Sequence, residues 1–201
     1  MNKKQVQSEL TRKKISDAAR SLFVQKGYKA TSIEDIVAAT DSSKGNIYYH
    51  FKSKEGLFLY LLNEWDREWY EKWHELLPGY PTVTAKIYGL AQQIVQEDLN
   101  HPLTRAADEF FSNDEHKGEV EEKMASMMEE HLQFNRQLIQ EGIDSGEFHI
   151  GDVDKKAVVL ECLLAGLNQI CRKQPAETVL EHYRFAVQTF LYGIARTEAQ
   201  A

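Results

Sequence analysis

The sequence predicts an all-α protein of about nine helices, and three observations predict it. Apolar residues recur at the helical spacing i, i+3, i+4, i+7 along most of the chain, while strand-like alternation is scarce. Only four prolines, Pro78, Pro81, Pro102 and Pro175, interrupt 201 residues. Serine, threonine and aspartate stand at the starts of the periodic stretches, where their oxygens can take the unpaired N–H groups of a first helical turn. At this length the chain can bury a substantial core as one large or two modest domains. Its 42% hydrophobic and 27% charged residues are ordinary for a soluble globular protein.

The first helix is marked by Ile15, Ala18, Ala19, Leu22 and Phe23, which share one face. Gly27 stops it as a residue able to take positive φ, with Tyr28 placed to pack back. Thr31-Ser32-Ile33-Glu34 reads as the capping-box start of a short second helix whose apolar face is Ile33, Ile36 and Val37. Asp41-Ser42-Ser43 breaks that helix and supplies cap oxygens for a third over 44–50. Ser53 caps a fourth, running through LFLYLLNEWDREWYEKWHELL. Pro78-Gly79-Tyr80-Pro81 marks the first clear break in the body. Beyond it helices are expected at 83–99, 103–112, 117–145, 154–173 and 175–197. Turn-forming residues separate them, among them Asn100-His101-Pro102, Ser112-Asn113-Asp114 and Gln174-Pro175.

Formal charge is −7 but unevenly spread. Residues 1–60 carry 11 Lys and Arg against 6 Asp and Glu, and the remainder carries 13 against 25. A basic N-terminal segment beside an acidic body suits a protein that meets a polyanion with one part only. A solvated surface with chance bias is the alternative that charge alone leaves open. Cys162 and Cys171 match no metal-ligand spacing and make no disulfide framework. A reducing cytoplasm is therefore the expected location, and no metal or cofactor is expected. The start MNKKQVQSELTRKK lacks the apolar core of a signal peptide. AVVLECLLAGL, from Ala157, is interrupted by Glu161 and too short to span a bilayer, so no membrane partner is expected. The chain holds no His-Glu-x-x-His, no phosphate-cradling glycine loop and no nucleophile elbow, so an enzyme is not expected.

Two short helices joined at Ala39-Thr40-Asp41-Ser42-Ser43 have the layout of a helix-turn-helix, whose second helix enters the DNA major groove. On that helix Ile47 and Phe51 face inward, toward Ile33, Ile36, Val37 and Leu22. Lys44, Gly45, Tyr48 and Tyr49 are left to point outward. Ser43 and Asn46 share the same turn. Lys44 can donate to guanine O6 or N7, and Gly45 lets backbone approach base edges. Tyr48, Tyr49 and His50 can donate to phosphate oxygens. Lys54, with the N–H groups behind Ser53, forms a second phosphate clamp at a helix N-terminus, and Thr31 and Ser32 offer the same at the second helix. The alternative is that the tyrosines and His50 merely seal a small three-helix core. The basic segment, the outward residues and the capped helices agree on the DNA reading.

Gly27-Tyr28-x-x-Thr31-Ser32-x-x-x-Ile36-Val37 and Ser43-Lys44-Gly45-x-Ile47-Tyr48-Tyr49-His50-Phe51-x-Ser53-Lys54-Glu55-x-Leu57 resemble the DNA-binding domain of the TetR family of bacterial repressors, over about residues 10–62. The resemblance implies a helix-turn-helix DNA-binding domain at 1–52. It implies an effector-binding and dimerisation domain at 53–201, in a homodimer bound to a palindromic operator.

In the body, Trp65, Trp69 and Trp73 are spaced at i, i+4 and i+8 with Asp66 among them. Such a stripe packs a core or, beside carboxylates, walls a pocket for lipophilic cations. Asp98, His101, Glu109, Phe110 and Phe111 are candidates for the opposite wall. SSKGNIYYHFKSKEGLFLYLLN, Trp69 and Trp73, and later HPL, EFF and EGIDSGEF are similar to the branch of the family whose repressors bind quaternary-ammonium drugs. On that resemblance Trp69 matches a pocket tryptophan, and Asp66 and Asp98 stand where the branch has pocket glutamates. Phe111 stands for a tyrosine. Trp65 replaces a pocket acid, while Met128 and His131 replace an acid and a tyrosine.

Near the C-terminus Val158, Val159, Leu163, Leu164 and Leu167, then Val187, Phe190, Leu191 and Ile194, carry more apolar area than one fold needs. The resemblance implies that the last two helices pair with their twofold mates, with Val159, Leu163, Leu167, Val187, Phe190 and Leu191 at the interface. An intramolecular core is the alternative. The expected function is a repressor released from its operator by a small effector. An architectural DNA-binding protein without an effector is the other reading.

Overall fold

A computed structural model describes residues 2–99, 101–112, 118–171 and 174–194, apart from the side chains of Asp98 and Ile194. Asn100, Asn113, Asp114 and the expected helix ends at 173 and 197 lie outside the described residues. Among those described, nine α-helices follow one another with no strand. They are α1 (Lys3–Lys26), α2 (Ile33–Thr40), α3 (Lys44–Phe51), α4 (Lys54–Leu76), α5 (Val83–Gln93), α6 (Thr104–Phe111), α7 (Glu119–Asp144), α8 (Val153–Cys171) and α9 (Ala176–Ile194). A 3-10 turn, Leu77–Gly79, follows α4, and α5 runs on as a π-helical turn, Ile94–Asp98, inside the single helix expected at 83–99.

The chain forms two compact units, Met1–Glu68 with His101–Lys123, and Trp69–Asn100 with Met124–Ala201. The division does not follow the boundary at 52/53 read from the sequence: the first part of α4 and all of α6 group with the three N-terminal helices.

In the first unit α1, α2 and α3 pack pairwise. α1 begins twelve residues before Ile15, because Asn2 and Gln5 close a reciprocal cap at its start. The residues before Ile15 are mostly exposed, so no apolar stripe announced them. Gly27 ends α1 at φ 84°, and a Cβ there would meet the Glu109 carboxylate at 2.4 Å. α2 is capped by Ser32 with Asp35, rather than by Thr31 with Glu34. It ends on Asp41 in the left-handed region at φ 50°. Ile15, Ala19, Phe23, Ile36 and Ile47 are fully buried. Burying a side chain such as Ile47 contributes about 2 kcal/mol. Phe23, Tyr28, Phe58 and Phe110 form an aromatic cluster with centroids 4.9–5.0 Å apart for Phe58 against each of the other three. α6 therefore belongs to the core beneath the helix-turn-helix.

In the second unit α5 and α8 pack against α9 around Trp73, Ile87, Leu90, Phe148, Leu160, Tyr183 and Val187. Glu147 accepts from the N–H groups of Val83 and Thr84 at 2.8 and 2.9 Å, fixing the start of α5. Burial pushes that carboxyl upward, but the Thr84 and Val83 donors prevail and hold it below its ordinary range. The buried Asn135 amide donates to Glu161 at 2.8 Å and ties α7 to α8. No helix among the described residues is long and apolar enough to cross a membrane.

Candidate nucleic-acid interface and effector region

α3 has two faces. Ile47 is fully buried and Phe51 nearly so, as the spacing predicts. Ser43 caps the helix, its hydroxyl accepting from the Asn46 N–H at 3.2 Å. The turn above that cap is open: Ser43, Lys44, Gly45 and Asn46 are exposed. Tyr48 is 49% and Tyr49 78% exposed, too open to be sealing a core. His50 is half-buried, with its ring near Tyr49 and Phe51. Burial, then the Arg12 charge, holds its pKa below the ordinary histidine value. It therefore offers a neutral ring at neutral pH. The Lys44 ammonium is paired with Glu34 of α2, a partner that the sequence reading did not assign.

Three residues expected on phosphate are used inside the fold. Thr31 is 1% exposed, and its hydroxyl donates to the Gly27 carbonyl at 2.7 Å. Ser32 is spent on the α2 cap, bonded to Asp35 through both its N–H and its hydroxyl. The Lys54 ammonium donates to the carbonyls of Tyr28 and Thr31 at 3.2 and 3.1 Å and lies 4.3 Å from the Tyr28 ring centroid. These contacts pin the start of α4 to the turn after α1, a role that the reading of Lys54 as a phosphate clamp did not include.

The expected effector residues fall into both units. In the first, Trp65 lies flat on His101, centroids 3.9 Å apart and 14° from parallel. Asp66 is half-buried on the same helix. Glu109 accepts from the Lys29 N–H at 2.9 Å and pairs with Arg105 at 3.3 Å, so its carboxylate braces the α1–α2 turn. Phe110 is fully buried in the aromatic cluster, while Phe111 beside it is exposed. In the second unit Trp69, Trp73 and Tyr80 stack in a ladder, with centroids 5.9 and 5.7 Å apart. Phe134 of α7 sets its edge against Trp69 and Trp73. It lies one helical turn after His131, a spacing that could have found it. His131 stands 3.8 Å from Glu161, and Met128 is exposed. The side chain of Asp98 lies outside the described residues.

Beside the ladder the Gln93 amide nitrogen donates to the Trp69 carbonyl at 3.0 Å. Among the described residues two buried polar atoms here have no partner, the Trp69 indole Nε1 and the Gln93 Oε1. A buried donor and acceptor left open invite a polar ligand or water. No group of three or more His, Cys, Asp or Glu among the described residues could hold a metal ion.

The interface residues also divide. Val159 is exposed, and Leu163 and Leu167 are half-buried against the core. Val187, Phe190 and Leu191 are buried within the chain. α9 is apolar on two sides, and its outward side is instead Phe185 and Tyr192. Cys162 is exposed and Cys171 buried, both as free thiols.

An open polar helix start, held down by buried Ile47 and Phe51 on a three-helix core, defines a helix-turn-helix DNA-binding regulator with a helical body. Residues 15–61 match the bacterial regulatory proteins of the tetR family, and residues 65–196 match the C-terminal region of QacR-like proteins. The chain belongs to the tetR family, in its QacR-like branch. It is 30% identical over 183 residues to the HTH-type transcriptional regulator QacR of Staphylococcus aureus (strain Mu50 / ATCC 700699), covering 91% of this chain and 97% of that protein. It is also 30% identical over 155 residues to the uncharacterized HTH-type transcriptional regulator YhgD of Bacillus subtilis (strain 168), covering 74% and 78%. Among solved structures, a TetR transcriptional regulator from Chloroflexus aurantiacus J-10-FL superposes with a TM-score of 0.75 at 24% identity, covering 95% of this chain and 99% of that one. Members of this family are transcriptional regulators and not enzymes.

Proposed function

We propose that the chain is a repressor that holds a palindromic operator as a homodimer and is released by a small effector bound in the body. The observation that carries this is the open first turn of α3, with Lys44, Gly45, Asn46, Tyr48 and Tyr49 exposed above a buried anchor. Lys44 and Gly45 read base edges, and the tyrosines fix the register on phosphate. Two such helices must stand about one DNA turn, roughly 34–36 Å, apart. The apolar surface that supports a twofold partner is Val158, Val159 and Ile170 on α8 with Phe185 and Tyr192 on α9, all exposed.

Residues 1–52 carry the reading and 53–201 the response. For the effector, the aromatic cluster of Trp69, Trp73 and Phe134 and the open Trp69 Nε1 and Gln93 Oε1 support a lipophilic ligand with a polar group. A lipophilic cation is the class to test first, since aromatic faces attract cations. That preference rests on the rings, because Glu97 is committed to Lys72 and Glu109 to Lys29. Effector binding near Trp69 shifts α4, whose start leads directly from α3. It acts only through its affinity difference between the bound and released states.

The test is a mobility shift on the DNA upstream of the gene, with and without a panel of lipophilic cations. Specific retardation relieved by at least one cation is expected. Absence of any sequence-specific shift would sink the repressor reading. A specific shift that survives every ligand, with no thermal stabilisation of the free protein, would favour an architectural role.

A further inference from the structure

Glu34 stands outside the reciprocal Ser32–Asp35 cap of its own helix. The α2 cap is closed by Ser32 and Asp35, with Asp35 N–H donating to Ser32 Oγ at 3.1 Å and Ser32 N–H to Asp35 Oδ2 at 2.9 Å. Asp35 also takes the Lys26 ammonium at 2.8 Å. Glu34, the next residue back, reaches across the turn to Lys44, the first residue of α3. The two side chains remain 65% and 55% exposed. A pair this open adds little to the fold, so its groups can be exchanged for others at small cost.

The pair sits at the end of α3 whose side chains are left for DNA. An ammonium has three donors, so Lys44 keeps donors for a base while it holds Glu34. The carboxylate accepts only, and bonding to Lys44 keeps it within reach of whatever Lys44 touches. Donor and acceptor side by side match one edge of the major groove. Guanine presents O6 and N7 as acceptors, and its cytosine partner presents the N4 amine as a donor. Thymine would set its O4 acceptor and methyl group against the carboxylate instead. A carboxylate there also repels phosphate, which weakens binding to DNA of any sequence.

We infer that Glu34 is a specificity-determining residue, which together with Lys44 reads a G·C pair in each half-site. Lys44 donates to guanine, and Glu34 accepts from the cytosine N4 amine. The inference rests on the reading of α3 as the groove-entering helix.

The experiment is selection of duplexes from a randomised pool by wild type, Glu34→Gln and Glu34→Ala, followed by anisotropy titration of the wild-type motif and of a random duplex. One G·C position per half-site should be recovered by wild type and become degenerate in Glu34→Ala. The motif-to-random affinity ratio of that variant should fall roughly tenfold, the range of one good base contact, and its random-duplex affinity should rise. Glu34→Gln keeps a carbonyl oxygen that accepts from the cytosine amine, so it should retain the G·C preference more fully than Glu34→Ala. Glu34 is exposed on its helix, so both variants should melt as wild type, which separates reading from folding. An unchanged motif with an unchanged ratio in Glu34→Ala overturns the inference. Wild type recovering no motif at all defeats the groove-reading of α3 itself, and Glu34 with it.

Discussion

The first turns of α3 and α4 begin alike and end up with opposite tasks. Each follows a capping serine with a lysine and then a glycine, as Ser43-Lys44-Gly45 and as Ser53-Lys54-Glu55-Gly56. In α3 the lysine holds an exposed carboxylate, and a Cβ on Gly45 would meet only the Ser43 hydroxyl, at 3.6 Å. In α4 the lysine bonds two carbonyls and covers a ring, and a Cβ on Gly56 would come within 2.1 Å of the Phe51 carbonyl oxygen. The local sequence supplies the same cap in both places. What differs is the tertiary neighbour: α4 starts against the turn that ends α1, and α3 starts against solvent. A lysine at a helix start is available to DNA only where no interior acceptor has taken it.

The largest expected effect comes from Gly56→Ala. Its methyl group meets backbone that cannot swing aside, so thermal or urea melting should show a loss of about 3 kcal/mol. An unchanged melting temperature would mean that the α3–α4 junction yields more readily than its geometry suggests. Lys54→Ala comes next: two charge-assisted bonds and a ring contact are lost, and about 2 kcal/mol of stability should go with them. Loss of DNA affinity without loss of stability would return Lys54 to the phosphate surface. Gly45→Ala should leave stability equal or up to about 0.5 kcal/mol higher, since the space is open and the unfolded chain loses freedom. It should still weaken operator binding in a titration, because the methyl group stands between backbone and bases; undiminished binding would place Gly45 away from the groove.

The smallest effect concerns acid. Asp35 is held well below the ordinary carboxylate range by the Lys26 ammonium first and then by Ser32. A depressed folded pKa means stability that is present above the unfolded value of about 3.9 and fades as pH falls below it. Asp35→Asn should therefore melt with less acid sensitivity than wild type between about pH 4 and 2. Parallel pH curves for the two proteins would count against the cap.

Apart from the start of α1, helix positions were legible in the sequence to within a few residues, because long amphipathic stripes and capping serines fix where a helix can lie. The two faces of α3 were legible too, since the spacing of Ile47 and Phe51 turns them inward and leaves Tyr48 and Tyr49 exposed. The body was harder. α9 is apolar on two sides, so its periodicity could not say that Val187, Phe190 and Leu191 turn inward while Phe185 and Tyr192 turn out. Phe110 and Glu109 looked like pocket walls by residue type. Their partners, Tyr28 and Lys29, lie some eighty positions away, where no local pattern reaches. The internal bonds of Thr31 and Lys54 were hidden for the same reason, each finding a carbonyl that only the folded turn supplies. Glu34 was hidden because a charge early in a helix reads as support for the helix end.

The measurement that bears most directly on the contrast between α3 and α4 is a paired titration of Lys44→Ala and Lys54→Ala against operator and random duplexes at one salt concentration, with melting of each protein alongside. Lys44→Ala should keep the wild-type melting temperature and lose roughly tenfold in the operator-to-random ratio. Lys54→Ala should melt lower and, where still folded, keep that ratio. A Lys44→Ala protein that discriminates as well as wild type, or a Lys54→Ala protein that melts unchanged but no longer discriminates, would contradict the assignment of reading to α3 and holding to α4.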